Sequence, residues 1–302
     1  MAVVWARINT LLLLLVLLAL LAVLGVFATS VRGGPLDPPA APGPTDGVRA
    51  PGTPISSLPF AITQPGSYYL TRNLSVASGV GITIDADDVT LDLMGFTLSG
   101  PGSNSASHGI TRNVNTTRRN NTIRNGVLRG WGIGVDTTNF IRSTYEDLRV
   151  TDNGWGLSIG SGSDVRHVMS AYNGIGLVIF QWDDAWGGSV SDSNFSRNGD
   201  LGLYVSANNI WIHDNVIDSN GPFGVYMASS ASWNELTDNR IVGSAQTGVF
   251  IATSATGNLI ARNVIAANPV PVNDIGTASR IGTFVGSDAS ITATNPWSNV
   301  VY

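Results

Sequence analysis

Aspartate recurs in this sequence at intervals that would bring carboxylates together. Asp192, Asp214 and Asp238 follow one another at nearly equal spacing, and Asp147, His167 and Arg262 occupy the same relative position in neighbouring segments. If the chain coils with that period, the three acids stack. Like charges held that close raise at least one pKa, and two carboxyls about 5–5.5 Å apart suit retaining glycoside hydrolysis. Asp214 and Asp238 are therefore a candidate acid and nucleophile pair. The column Asp192, Asp214 and Asp238 is also a candidate Ca²⁺ site, because that ion takes carboxylate and carbonyl oxygens. Ordinary turn chemistry fits the same residues, with aspartate accepting from backbone N–H groups.

Two further groups carry rings. The segment FQWDDAWGG holds Trp182, Asp183, Asp184 and Trp186. Its position in the longest repeat predicts a protruding loop, and loops on rigid scaffolds often carry function. Asp183 and Asp184 form a second candidate catalytic pair. Trp182 and Trp186 are candidate carbohydrate-binding rings, unless one folds back onto the coil. The third group is a stripe read one position per repeat: Gly134, Ser158, Val178, Tyr204, Tyr226 and Phe250. Its upper half is aromatic and uncharged, and rings at the roughly 4.8 Å spacing of stacked strands predict a platform for a sugar chain. A tail or a partner subunit covering the stripe is the competing expectation.

What must position these residues is a repeat. Short apolar alternations punctuated by Gly, Asn, Asp and Ser predict many short strands and no helix from residue 55 onward. Glycines open the repeats at Gly132, Gly156, Gly176, Gly202, Gly224 and Gly248, with the widest interval between Gly176 and Gly202. A recurrence of this length marks a solenoid. Stacked coils place equivalent residues above one another, which predicts two asparagine ladders: Asn153, Asn173, Asn198 and Asn220, and Asn215, Asn239 and Asn263. Buried amides must be paired, and a column of them pairs with its own copies.

The ladders and the opening coil, LPFAITQPGSYYLTRNLSV followed by GITIDADDVTLDLMGFTLSG, resemble the right-handed parallel β-helix proteins of the pectate-lyase-like superfamily. In texture the chain is similar to the repeat domains of the NosD type. The resemblance implies an all-β, single-stranded right-handed parallel β-helix, a solenoid of about 22–24 residues per coil. It implies a polysaccharide lyase or glycoside hydrolase, a non-catalytic envelope or adhesion module docking a protein, or a NosD-like periplasmic maturation helper. Gln181-Trp182-Asp183-Asp184 resembles the Asp-Asp element of polygalacturonase-like hydrolases with a tryptophan inserted. Arg240-Ile241-Val242 resembles their Arg-Ile-Lys without its lysine, and their Gly-His-Gly has no counterpart.

Composition excludes other classes. The chain has 302 residues, a formal net charge of −5, no cysteine and no lysine, its 16 basic residues all being arginine. Disulfides, thiol nucleophiles and Schiff-base lysines are absent, and a basic nucleic-acid footprint is absent too. Residues 1–28 hold Arg7 and an unbroken apolar run, which predicts a signal peptide or a membrane anchor and hence an exported protein. Membrane contact is expected only through that anchor. Residues 29–54, rich in proline and glycine, read as a linker. Residues 55–302 read as the β-helix, with ends covered by 55–100 and 275–302 because exposed strand edges need caps.

Overall fold

A computed structural model of the protein describes residues 52–113, 116–183, 185–286 and 295–302. The expected signal or anchor over 1–28 and the linker up to residue 51 lie outside the described residues. The first strand, Thr53–Ile55, pairs with Gly66–Leu70, so the folded part starts two residues before the expected boundary.

Among the described residues every element is a strand and every pairing is parallel, forming a solenoid of about ten turns. Each regular coil has three faces. One face is a ten-stranded sheet running from Phe60–Ile62 to Val270–Asp274, and its middle strands are the glycine-led ones, such as Leu201–Val205 and Phe223–Met227. The other two faces are continuous with each other, as in Trp211–His213 and Val216–Asp218, which are separated only by Asp214 and Asn215. Residues 55–100 contribute to the coils: Phe60–Ile62 and Val80–Ile84 are the first two strands of the ten.

Inward aliphatic residues fill the tube, among them Leu203, Val205, Ile212 and Ile217, all fully buried. At many of the corners an asparagine turns inward and bonds to the next coil. Asn153, Asn173 and Asn198 donate through Nδ2 to the Oδ1 of Asn173, Asn198 and Asn220 at 3.0, 3.2 and 3.0 Å. Asn215, Asn239 and Asn263 do the same to Asn239, Asn263 and Asn299 at 3.0, 3.1 and 3.2 Å. A third corner carries Asn234 and Asn258, joined at 3.1 Å. Each Oδ1 also accepts the backbone N–H of the asparagine before it, as Asn239 does for Asn215 at 3.0 Å.

The residue before the ladder must turn the chain through the left-handed region. Asp147, His167, Asp192, Asp214, Asp238 and Arg262 all have φ between 49° and 59°. Aspartate tolerates that region better than most residues, which accounts for its recurrence there. The repeat glycine has a different origin. A Cβ on Gly202 would lie 2.5 Å from the Gly224 carbonyl oxygen and 2.8 Å from Asn220 Nδ2. The glycine is what lets the ladder amide and the next strand close over it.

Register corrects one expectation. Ile133 pairs with Trp155 and Val135 with Leu157, so Gly134, not Gly132, is level with Gly156. The outward residue of that coil is therefore Asp136, which pairs with Ser158, and not Gly134.

The corner analysis makes a contrast testable. Asn239→Ala strips the bonds to Ile212, Thr237, Asn215 and Asn263 and should cost about 3 kcal/mol by leaving buried groups unpaired. Asp214→Gly, at an exposed left-handed position, should change stability by less than about 1 kcal/mol. Urea midpoints followed by far-ultraviolet circular dichroism compare the two.

Candidate functional site

The aspartate column is a row of exposed corner residues. Asp214 Oδ2 sits 2.8 Å from His213 Nδ1. Asp238 accepts from Arg262 Nε at 2.8 Å and Nη2 at 2.5 Å. That guanidinium holds the Asp238 carboxyl below the ordinary aspartate range, against the opposing effect of partial burial. At Asp238 the direction is opposite to the raised pKa expected of stacked carboxylates, because the arginine one coil away has the larger effect. Among the described residues no three His, Cys, Asp or Glu side chains, Asp192, Asp214 and Asp238 included, are grouped so as to hold a metal ion. Asp183 is half exposed, with Oδ2 3.7 Å from Arg119, and Asp184 lies outside the described residues.

The aromatic column forms but is not a flat platform. Tyr204, Tyr226 and Phe250 are in register. Their ring centroids are 5.5 and 5.0 Å apart with planes 7° and 21° from parallel. Phe223 packs against both Tyr226 and Phe250, at 5.4 and 5.1 Å. Rings stacked on each other spend their faces on each other, leaving mainly edges and hydroxyls to solvent. The column ties neighbouring strands together, as cross-strand aromatic pairs do.

The long loop behaves differently at its two tryptophans. Trp182 turns back onto the coil: its backbone N–H donates to Ser161 Oγ and its Nε1 to Thr117 Oγ1, both at 3.1 Å. Gln181 pins the loop by donating to the Ala185 carbonyl at 2.6 Å and accepting from the Asn208 N–H at 3.1 Å. Trp186 stands out, 67% exposed.

Where Trp182 turns back it walls a groove of about 410 Å³ on the outer side of the ten-stranded sheet. Trp155 and Phe180 are further walls, and Arg112, Asp136 and Ser158 lie within it. Asp136 is the polar centre. Its Oδ1 accepts from Arg112, and its Oδ2 lies 3.0 Å from His108 Nδ1, close enough for an ion pair though not aligned as a hydrogen bond. The three side chains are largely but not wholly covered, at 11% exposure for Asp136, 15% for Arg112 and 28% for His108. Arg112 Nε is buried with no partner. Beneath the sheet the fully buried Tyr145 hydroxyl shares a 2.6 Å hydrogen bond with Thr137, and burial pushes its pKa up, so it stays neutral.

The groove escaped sequence reasoning for two reasons. The repeat was started at Gly132, which hid Asp136, and His108 and Arg112 lie on a strand, His108–Arg112, that precedes the clear repeats. The available signal was the HGITR segment itself, which has the glycine-led strand pattern of later coils. Chemically the groove offers one carboxylate, one guanidinium fork and three aromatic walls, with an imidazole adjoining the carboxylate. The two-carboxylate arrangement of glycoside hydrolysis is not present among the residues lining it.

The Asp238 ion pair gives a signed prediction. Because the folded pKa is lowered, the pair's stabilisation is present above the ordinary value of 3.8 and disappears as pH falls through the lowered one. Arg262→Gln should move the Asp238 midpoint back up toward the ordinary range in a carboxyl-carbon NMR titration. The pair is about one third exposed, so the stability change should stay below about 1 kcal/mol.

Comparison with known proteins places this architecture. The chain is similar in structure to the Dettilon tailspike protein gp208, with a TM-score of 0.60 and 11% identity over 82% of this chain and 60% of that one. It is similar also to ORF18 of Geobacillus virus E2, with a TM-score of 0.54 and 12% identity over 72% of this chain and 54% of that one. The chain therefore spans less than two thirds of either protein, and at these identities the likeness is one of fold. No curated protein matches the sequence. Residues 109–265, more than half of the chain, match the family model described as a right handed beta helix region. On that match and on its parallel three-faced coils, the chain belongs to the right-handed β-helix family.

Proposed function

We propose that this protein binds a polysaccharide in the groove over Asp136. The observation that carries the reading is the joining of Trp155, Phe180 and Trp182 with Arg112 and Asp136 in one concave site of about 410 Å³, with His108 next to the Asp136 carboxylate. Sugar rings present apolar C–H faces and hydroxyl edges. Aromatic walls suit the first, and a carboxylate beside a guanidinium suits the second. The solenoid adds a long straight surface on either side of the groove, so neighbouring residues of an extended chain would have somewhere to lie. The same reading takes the apolar run before residue 29 as an export signal or anchor, which would put the groove where such polymers are met.

Catalysis is a second reading, favoured by His108 lying beside the Asp136 carboxylate. Imidazole is the side chain most often used to exchange a proton with a reacting group. In this reading His108 exchanges the proton and Asp136 and Arg112 are positioning residues.

The full-length chain should be tested against a panel of acidic and neutral polysaccharides by affinity electrophoresis and calorimetry, with new reducing ends and ultraviolet absorbance of unsaturated uronates followed in parallel. At least one polymer should bind. Trp182→Ala should weaken it about tenfold, which is about 1.4 kcal/mol, and Asp136→Asn should weaken it at least as much. Turnover lost in Asp136→Asn and His108→Gln would establish the catalytic reading. Failure of every polymer to bind would end the proposal.

A further inference from the structure

A second concavity lies away from the groove, at the corner where the glycine-led face passes to the next one, in the later coils. Its volume is about 480 Å³, and Trp233 and Trp297 line it. Both rings are more than half exposed. Three independent features show that this is a built site.

The first is backbone conformation. Trp233 has φ 60°, in the left-handed region. The same corner carries Asn209 in the preceding coil and Gly257 in the following one, with φ 57° and 67°. Asparagine and glycine accept that conformation readily, whereas a bulky aromatic residue there is an outlier. A strained residue persists where its surroundings hold it, and such residues cluster at ligand sites. Its backbone N–H is satisfied by the Thr256 carbonyl at 2.9 Å, so the corner itself does not require an indole.

The second is the place made for the ring. A Cβ on Gly257 would fall 2.5 Å from Trp233 Cε3 and 2.7 Å from Cζ3. The indole lies across the bare glycine of the next coil, which fixes its orientation while leaving the ring 58% exposed. The second tryptophan is fixed too: the Arg262 guanidinium sits 5.0 Å from the Trp297 ring centroid, and Asp238 holds that arginine through both of its oxygens.

The third is the polar pattern of the cleft. Glu235, Leu259 and Arg280 occupy one column in successive coils. An acceptor and a donor therefore stand roughly 10 Å apart, two strand spacings, with an apolar residue between them. Asn209 adds an amide at the rim. The charges in the cleft balance, so it does not select for an ionic ligand.

We infer that this corner is a second saccharide-binding site, specific for neutral sugars, with the Trp233 and Trp297 rings stacking on the ligand and Glu235 and Arg280 taking its hydroxyls. It is independent of the groove over Asp136 and stands whether or not that groove binds anything.

The test is a titration of the full-length protein with neutral hexasaccharides (cellohexaose, xylohexaose, mannohexaose and maltohexaose) by calorimetry and by saturation-transfer NMR. The informative variant is Trp233→Asn, which installs the residue that the preceding coil uses at this corner. Binding of at least one hexasaccharide should fall tenfold or more in Trp233→Asn and in Glu235→Gln and persist in Trp182→Ala, while the Tm of Trp233→Asn stays equal to or above that of the unaltered protein. A lowered Tm with unchanged binding would show that Trp233 is only a structural element and overturn the proposal. Silence of all four sugars at millimolar concentration would overturn it as well. Binding lost in Trp182→Ala but kept in Trp233→Asn would assign the sugar to the groove and remove this corner as a site.

Discussion

A buried amide must be paired, and along the ladders of this protein the partner is most often the equivalent amide one coil away. A ladder asparagine inside the column accepts from the coil before it and donates to the one after it, as Asn239 does between Asn215 and Asn263. The bonds are satisfied only when successive coils are in register to within a few tenths of an ångström. That requirement fixes the coil path at the corners. The glycine-led strands follow from it, because the ladder amide and the next strand's carbonyl both close on the position where a Cβ would stand. The left-handed residue before each ladder position follows too, since only that backbone bend turns the asparagine inward.

Register of this kind turns the outer surface into columns, and the columns explain which candidates lack free chemistry. Residues stacked at strand spacing interact with their own neighbours first. Tyr204, Tyr226 and Phe250 stack on one another, and Asp238 meets Arg262. Glu146 is similarly taken by Arg166. A side chain keeps unspent capacity only where its column neighbours cannot take it up. Asp136 stands between Thr111 and Ser158 in its column, so its carboxylate turns instead to Arg112 and His108. Glu235 has Trp211 and Leu259 as column neighbours, neither of which carries a charge.

The fold was legible because its cause is periodic. Glycine, apolar residues and asparagine recur with the coil, and a single sequence displays the recurrence over several coils. Both ladders lie where the spacing put them. Asn234 and Asn258 were missed because serine, glycine and isoleucine separate them in their column from its first amide, Asn121. The groove was illegible for the opposite reason. It depends on His108, Arg112 and Asp136 in coils where the glycine signal is doubled by Gly132 and Gly134. It also depends on Trp182 turning back to Thr117, a contact 65 residues distant in sequence. Periodicity reports what each coil shares with the next, whereas a site is made of what one coil has and its neighbours lack.

The position of the loop that walls the groove follows from the same constraint. Reading the third corner along the solenoid gives Asn121, Ser143, Ser163, Gly188, Ile210, Asn234 and Asn258, by the pairing of the residues that come next. The early rungs are serine bonds, at 3.3 and 3.4 Å, and at Gly188 and Ile210 the column has no polar side chain at all. The amide ladder resumes at Asn234, which accepts from the Ile210 N–H at 2.8 Å. The stretched coil, the one between Gly176 and Gly202, enters through this gap, with Gly188 in an open backbone conformation at φ 112°. At the other two corners the same coils keep their rungs, Ser193 and Asn198. An insertion at either of those would have left buried amides without partners, at a cost of about 1–3 kcal/mol for each group. The corner that lacked the ladder was the one that could lengthen, and the groove stands beside it.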